Sequence, residues 1–168
     1  MIDRDDARIR LHQDVPLFRE AIAFTAAKTG FNGSVIEKDY FCTVLLDDFV
    51  RQVVPGLEIA CIDAMEAMAE KFRAALSRRD VAIRDFYDLD HAVRNLPLEV
   101  GSPSFIDLVR RKLSIPENPP VDVGSDRMAA LRRQVDAKLK PVLRDQDFRD
   151  FDLDRAIALA VAMAVRIA

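Results

Sequence analysis

Apolar residues recur along most of the chain at the three- and four-residue spacing of an amphipathic helix. The first such segment, VPLFREAIAFTAAKTG, has Pro16 near its start and Gly30 just past its end, where helices commonly place these residues. Ser34 stands three residues before Glu37, the spacing of a capping box, and predicts the start of a helix through VIEKDYFCTVLLDDFV. Asp63 is the predicted N-cap of the next helix, AMEAMAEKFRAALSRR.

The second half of the chain shows the same helical pattern. Predicted helices contain RDFYDLDHAVR, SFIDLVRRKL and SDRMAALRRQVDAKLKPVLRD, and Pro141 should kink or end the last of these. A final apolar helix is predicted to start near Asp152. The run GLEIACI predicts at most a short strand at residues 57–62. We therefore expect a mainly α fold, with an α+β remnant of little or no sheet. We expect one domain over 1–168, with N-terminal helices at 1–54 and a C-terminal helical region at 57–168.

Composition and charge are typical of a soluble globular domain. Half of the residues are hydrophobic, and the net charge of -3 provides no general attraction to nucleic acid or membrane. The start, MIDRDDARIR, is too charged for a signal peptide, and the apolar end, AIALAVAMAVRIA, is too short to span a bilayer. We therefore expect a cytoplasmic protein with no membrane partner, whose cysteines, Cys42 and Cys61, are buried free thiols.

The helix that contains Lys71 has three predicted faces. One face carries Lys71 and Arg78, which lie two turns apart, roughly 10 Å, with Ala67 and Ala74 leaving space beside them. Two cations above small residues could hold a polyphosphate. The alternative is a pair of surface cations matched by acids on a neighbouring helix. A polar flank ends at Ser77. The core stripe is Met65, Met68, Ala69, Phe72, Ala75 and Leu76.

The next helix supplies acids that could face these cations. Asp85 and Asp88 are three residues apart and share one side of that helix. If the two helices form an antiparallel hairpin around residues 80–83, Arg78 or Arg84 should lie within salt-bridge distance of one of these acids. The pattern fits either an ion-pair framework or the rim of a nucleotide site. The hairpin should bury Phe72, Leu76, Phe86 and Leu89.

Two longer segments, IEKDYFCTVLL and MAEKFRAALSRRDVAIRDFYDLD, follow each other in the chain. The second carries E-K-x-x-A and then R, followed by R-D-x-x-D-L. In content and order they resemble the AbiEii/AbiGii-type nucleotidyltransferase toxins of bacterial abortive-infection systems. The resemblance extends over residues 16–51 and 57–94, with a looser likeness to the end of the chain. The matching residues of the second segment are Glu70, Lys71, Ala74, Arg78, Arg84, Asp85, Asp88 and Leu89.

The resemblance implies the helical part of a polymerase-β-like nucleotidyltransferase. In such enzymes a G-G-[S/T] turn holds the triphosphate and a D-x-D binds Mg²⁺, because phosphoryl transfer depends on positioning and charge neutralisation. The resemblance also implies that the intact enzyme transfers a nucleotide from an NTP to RNA, a protein or a small molecule. It further implies a cognate antitoxin as the partner. The implied residual nucleotide-binding residues are Lys71, Arg78, Arg84, Asp85 and Asp88.

The chain departs from this pattern where the catalytic sheet belongs. None of its five glycines are adjacent, and only RQVVPG separates CTVLLDDFV from LEIACIDAMEAMAEK. We infer that the catalytic core is deleted, either in the natural gene or in the gene model. The chain would then be inactive, and its catalytic residues are unknown. We expect no metal ligands, and the sequence supports neither Mg²⁺ nor an NTP as a cofactor of this chain.

Three acidic residues occupy alternate positions just before the last predicted helix. Asp150, Asp152 and Asp154 lead directly into a helix, so Asp152 is predicted to be an N-cap rather than a metal ligand. The alternative function is a helical protein-interaction module without catalysis. Apolar stripes that no longer pack on a sheet also predict self-association.

Overall fold

The computed structural model of the chain describes residues 10–48 and 62–168. Within these ranges the backbone forms helices and no β-strand, so the predicted mainly α fold is confirmed. The short strand predicted at 57–62 lies, apart from Ile62, outside the described residues. Ile62 itself has no regular secondary structure.

The chain divides into two compact units. The first unit comprises residues 1–58 together with 142–144, and the second comprises residues 59–141 together with 145–168. Two such units can belong to one folded domain. The predicted organisation, a single domain with a boundary between the two family-like segments, therefore stays a prediction.

Helix α1 (Val15–Thr29) of the first unit has the termini that its sequence predicts. The side chain of Asp14 accepts a hydrogen bond from the backbone N–H of Leu17 at 3.0 Å, and Pro16 occupies the first turn. Gly30 ends the helix in the left-handed region, with a φ of 74°. Glycine adopts this conformation without the steric cost that a Cβ atom adds, so the predicted end is confirmed.

Helix α2 (Gly33–Asp48) begins differently from the prediction. The predicted capping box of Ser34 and Glu37 is wrong, because the side chain of Asn32 accepts from both the N–H and the hydroxyl of Ser34, each at 2.9 Å. The asparagine therefore satisfies a donor of the first turn, and Ser34 lies inside the helix. The predicted burial of Cys42 is also wrong, since this thiol is exposed on α2, and Cys61 lies outside the described residues.

Aromatic rings connect the two helices of the first unit. Phe18 of α1 is 9% exposed, and its ring centroid lies 4.9 Å from that of Tyr40 and 5.7 Å from that of Phe41, both on α2. His12 Nδ1 lies 2.9 Å from Tyr40 Oη. These contacts hold α1 against α2 and anchor the short 3-10 turn that precedes them.

The second unit contains the helices that carry most of the charged motif residues. Pro141 lies in a 3-10 turn at Lys140–Val142, beyond a π-helical turn at Val135–Leu139, so the predicted end of that helix is confirmed. Asp152 caps the final helix by accepting from the N–H of Arg155 at 3.0 Å, which confirms the predicted N-cap. The helices are α3 (Ala64–Ser77), α4 (Ile83–Asn95), α5 (Pro103–Leu113), α6 (Ser125–Gln134), α7 (Asp145–Asp150) and α8 (Leu153–Ile167).

The core of the second unit lies between α3, α4, α5 and α8. Phe72 of α3 packs edge-on against Phe105 of α5, with ring centroids 5.7 Å apart. Among the described helices, none combines the length and the hydropathy that crossing a bilayer requires. As predicted, α8 is a core helix on one face, and the four hairpin residues are buried. The core includes Phe72, Leu76, Phe86, Leu89, Val109, Ala156, Ala160 and Met163.

Candidate functional site

The site is built on a helical hairpin formed by α3 and α4. Residues 78–82 connect the two helices. Lys71, in the middle of α3, pairs with Asp88, in the middle of α4, while Arg78, just after α3, pairs with Asp85 near the start of α4. The order of these pairs reverses along α4, as two antiparallel helices require. The predicted antiparallel hairpin and the predicted Arg78 contact are therefore confirmed.

Helix α6 holds the hairpin connection in place through Gln134. The side-chain Oε1 of Gln134 accepts from the N–H of Ile83 at 3.2 Å, and its Nε2 donates to the carbonyl of Val81 at 3.0 Å. The residue at the N-cap position of α4, Ala82, has no side chain that can accept from these N–H groups. Gln134 therefore supplies, from a distant part of the chain, a partner that local sequence lacks.

Two carboxylates of α4 neutralise two cations of the α3 segment. Lys71 Nζ lies 2.6 Å from Asp88 Oδ2 and 3.6 Å from Asp85 Oδ1, and Arg78 Nη1 donates to Asp85 Oδ2 at 3.1 Å. The Asp85 side chain is only 7% exposed, whereas those of Lys71 and Arg78 are 41% and 52% exposed. We call Lys71, Arg78, Asp85 and Asp88 the Lys71 cluster. It combines a buried acid with two cations whose ends reach solvent.

The electrostatics of the Lys71 cluster keep its lysine charged. Burial lowers the pKa of Lys71, but the hydrogen bond with Asp88 and the charges of Asp88 and Asp85 outweigh burial and raise this pKa above its ordinary value. The pair of Lys71 and Asp88, whose side chains are 41% and 37% exposed, contributes only about 0–1 kcal/mol to stability. An incoming anion could therefore replace Asp88 beside Lys71 without a large loss of folding free energy.

Other residues of the predicted site occupy different surroundings. Arg84 is exposed and, within the described part of the chain, forms no ion pair with Asp85 or Asp88. Ala74, which lies between the two cations, is buried, so neighbouring atoms fill the space predicted beside it. The placement of Ser77 on a polar flank is wrong. This residue is 1% exposed, because its hydroxyl donates to the carbonyl of Arg73 within α3 and needs no water.

Asp90 is a structural residue that the sequence analysis did not single out. It is fully buried, and its carboxylate accepts from Arg155 at Nε and Nη2 and from Arg94 Nε, as well as from the backbone N–H of Asp152. One signal was available: Asp90 follows Phe86 by four residues and so lies on the apolar stripe of α4. An acid on such a stripe requires partners from another element.

Arg127 is the second residue that the sequence analysis missed. It is 8% exposed, and its Nη1 and Nη2 donate to the carbonyls of Arg78 and Ala75, both at 2.8 Å. A cation at the end of α3 satisfies carbonyl groups that the helix leaves unpaired and interacts favourably with the helix dipole. The sequence spacing indicates this position: Arg127 and Gln134 lie two turns apart on the same face of α6 as the buried Leu131.

Acidic and histidine side chains do not converge on a metal-binding arrangement within residues 10–48 and 62–168. No group of three or more His, Cys, Asp or Glu side chains with suitable geometry occurs there. Asp150 accepts from the side chain of Gln146, Asp152 caps α8, and Asp154 lies 2.5 Å from Arg132. These three acids serve separate local roles.

The class of protein follows from a comparison of the sequence with known families. The α3–α4 hairpin consists of the segment that carries the resemblance to the AbiEii/AbiGii-type toxins. Residues 29–162 match the family model described as Nucleotidyl transferase AbiEii toxin, Type IV TA system. Because this match covers well over half of the chain, the protein belongs to that family. Comparisons with curated proteins and with solved structures found no match.

Proposed function

We propose that this chain is an AbiEii-family protein that binds nucleotide phosphate at the Lys71 cluster but does not transfer nucleotides by itself. The observation that carries the proposal is the position of Lys71 and Arg78 on one side of the hairpin, each with an exposed end beside the buried Asp85. Arg84, which is exposed at the start of α4, completes the set as a cation at the rim.

Phosphate binding at this place requires an exchange of partners. Lys71 and Arg78 are paired with carboxylates, so a polyphosphate must replace at least one of those contacts. Asp88 is the more exposed acid, at 37%, and the flexible lysine can turn from Asp88 towards a phosphate oxygen. Because Asp85 is buried and held by Arg78, it keeps its place and fixes the arginine.

The residues present do not fit a two-metal transfer centre. The family implies Mg²⁺ held by a D-x-D that follows a glycine-rich turn, and the 168 residues contain no Gly-Gly. Asp85 and Asp88 are engaged with cations, and Asp150, Asp152 and Asp154 serve three separate local roles, of which only that of Asp152 is to cap a helix. Without metal-bound stabilisation of the transferred phosphoryl group, the barrier rises on the order of several kcal/mol, which is many powers of ten in rate.

The activity assay combines purified chain, Mg²⁺ and each radiolabelled NTP with total RNA and, separately, with protein extract. We expect no labelled acceptor with any of the four nucleotides. Robust labelling that disappears in an Asp150→Ala/Asp152→Ala double variant would place the catalytic centre in the α7–α8 segment and refute the proposed inactivity.

Nucleotide binding is tested separately by isothermal titration calorimetry with ATP. We expect weak binding by the wild type and none by Lys71→Ala, because the variant removes the cation nearest to the exposed acid. Lys138→Ala is the matched control, since Lys138 is an exposed lysine of the segment that follows α6. Equal binding by Lys71→Ala and wild type would move the phosphate site away from the hairpin.

The family context supports a protein partner as well. A toxin of a type IV toxin–antitoxin system is paired with a cognate antitoxin, and we propose that this chain retains that partner and acts in the cytoplasm. RNA or protein acceptors belong to the intact enzyme of the family. Co-expression with a type IV antitoxin, followed by co-purification, tests the pairing, and an antitoxin that does not co-purify would contradict it.

A second candidate function, a helical interaction module, is favoured by the outer face of α8. Val161 and Val165 are 37% and 73% exposed, on the side of α8 opposite the buried Ala156, Ala160 and Met163. A helix that is apolar on both sides normally has both sides covered. We propose a second copy of this chain as the occupant. Antiparallel α8 helices would then bring the acidic first turn of one copy near the basic last turn of the other.

Light scattering of the purified chain measures this self-association. We expect a concentration-dependent dimer in the wild type and a monomer in a Val161→Lys/Val165→Lys variant. Ser104→Lys, at an exposed position of α5, is the control for added charge. A wild type that remains monomeric at high concentration would remove the second copy as the occupant of this face.

A further inference from the structure

The Lys71 cluster taken alone is electrically neutral. It contains two cations, Lys71 and Arg78, and two carboxylates, Asp85 and Asp88, in mutual contact. A neutral group of side chains attracts a polyphosphate only after its internal pairs separate. Net positive charge near the cluster would supply the attraction that these four residues lack.

Arg127 is a nearby cation whose charge is not neutralised by a contacting carboxylate. Its side chain donates to two backbone carbonyls, those of Arg78 and Ala75, and no carboxylate of the described residues lies within salt-bridge distance of it. Its Nε is buried without a hydrogen-bond partner. A guanidinium remains charged under these conditions, because its pKa in water is far above neutral pH.

Burial and neighbouring acids act on Arg127 in opposite directions. Burial lowers the pKa of Arg127, whereas the charges of Asp122 and Asp85 act to raise it. Arg127 donates to the backbone carbonyl of Arg78, the residue whose side chain pairs with the buried Asp85, so its charge lies next to the cluster. Low solvent exposure also weakens the screening of this charge relative to that of a surface arginine.

We propose that Arg127 is a buried cation of the nucleotide-phosphate site, a positioning residue that fixes Arg78 and adds positive charge beside the Lys71 cluster, in addition to the rim cation Arg84. This inference rests on the proposed phosphate binding at the same cluster. Arg127 acts through its bond to the Arg78 carbonyl and through its charge, and it does not need to touch the phosphate. The ligand class is a polyanion such as a nucleoside triphosphate.

Asp122 provides a way to vary the same charge without touching the hairpin motif. It is exposed, and its Oδ1 accepts from the backbone N–H of Gly124 at 2.8 Å. The side-chain oxygen of asparagine can accept this same hydrogen bond, so Asp122→Asn removes a negative charge near Arg127 and keeps the turn. The substitution Asp122→Asn should therefore change phosphate binding in the direction opposite to the removal of Arg127.

Gln134 provides the matched structural control. Like Arg127, it lies on α6 and holds the hairpin through two hydrogen bonds, in its case to Ile83 and Val81. Unlike Arg127, it is uncharged. Gln134→Ala should loosen the hairpin to a similar degree and leave the charge of the site unchanged.

The experiment measures the Kd for ATP and for inorganic triphosphate, together with the melting temperature and the salt dependence of Kd, for each variant. We expect Arg127→Met to weaken binding at least about fivefold and to reduce the salt dependence, because one favourable charge is lost. Asp122→Asn should tighten binding, and Gln134→Ala should lower the melting temperature with Kd within about twofold of wild type.

Two outcomes separate this inference from the function on which it rests. A wild type that binds neither probe refutes the proposed phosphate site and this inference with it. A wild type that binds both probes, with Arg127→Met and Asp122→Asn binding equally well, refutes only the role of Arg127. If Arg127→Met does not fold, Arg127→Lys, which keeps the charge, and Asp122→Asn decide the question. Wild-type affinity in Asp122→Asn would then overturn the inference.

Discussion

The buried carboxylate of Asp90 accepts hydrogen bonds from the guanidinium of Arg155, which lies 65 positions further along the chain. Asp90 belongs to α4, the helix of the acidic motif residues, and Arg155 belongs to the first turn of α8. The same carboxylate also accepts from the N–H of Asp152, so it fixes the start of α8 against the hairpin. This contact connects the Lys71 cluster to the apolar core of the second unit.

We predict that Asp90→Asn destabilises the protein by about 3 kcal/mol or more, because breaking a buried ion pair leaves polar groups without partners. The asparagine NH₂ group would also face N–H donors of Arg155 or Arg94. Urea unfolding followed by circular dichroism measures the change in the free energy of unfolding.

The control for Asp90 is the exposed pair of Asp154 and Arg132. The Asp154 side chain is 75% exposed, so Asp154→Asn should cost less than about 1 kcal/mol. An Asp90→Asn protein as stable as the Asp154→Asn protein would contradict the structural role of Asp90.

Phe86 fixes the hairpin against the core, and we predict a large loss of stability when it is truncated. It is 0% exposed, so Phe86→Ala should lower the free energy of unfolding by about 3–5 kcal/mol through lost burial and a residual cavity. Ile115→Ala, at a position that is 55% exposed, should change it by less than about 0.5 kcal/mol. Comparable losses in the two variants would argue against the packing of this hairpin.

Gly30 should resist substitution because of its backbone rather than its surroundings. A Cβ atom at this position would meet the side chain of Arg144 no closer than 3.8 Å, an ordinary contact, but φ is 74°. Gly30→Ala should therefore destabilise the protein by about 1–2 kcal/mol. Gly30→Asn should cost less, since asparagine tolerates the left-handed region. Thermal unfolding of both variants tests this order, and equal losses would contradict it.

The N-cap of α8 should contribute stability that depends on pH. The N–H of Arg155, which donates to the Asp152 carboxylate, lowers the pKa of Asp152, and the charge of Arg155 acts in the same direction. Because the folded-state pKa is depressed, the contribution is complete above the unfolded-state pKa of about 4 and is lost as the pH falls through the lower folded-state pKa.

Asp152→Asn tests this dependence, since asparagine also caps helices but does not titrate. The wild type should be the more stable protein at pH 6, and the difference should shrink when the pH is lowered from about 5 to 3. Stability is measured by urea unfolding at each pH. A difference that stays constant over this range would show that the charge of Asp152 contributes nothing.

The sequence by itself determined the helices and the residues that form the hairpin. Pro16, Gly30, Asp63 and Asp152 act through contacts within a few residues, so their effect on helix termini can be predicted locally. The spacing of Phe72 and Leu76 likewise determined which side of α3 is buried. Ser34 was mispredicted because two caps competed at one helix start, and the nearby Asn32 provides the observed acceptor.

Only the tertiary structure decided which charged residues meet. Asp90, Arg127 and Gln134 find their partners in helices far away in sequence, with separations of 65, 49 and 51 positions for the contacts with Arg155, Arg78 and Ile83. A long charged side chain can turn to many partners, so periodicity shows only that it lies on a given face. The packing of α6 and α8 against the hairpin selects the partner, because burial penalises every arrangement that leaves a charge or a backbone group unpaired.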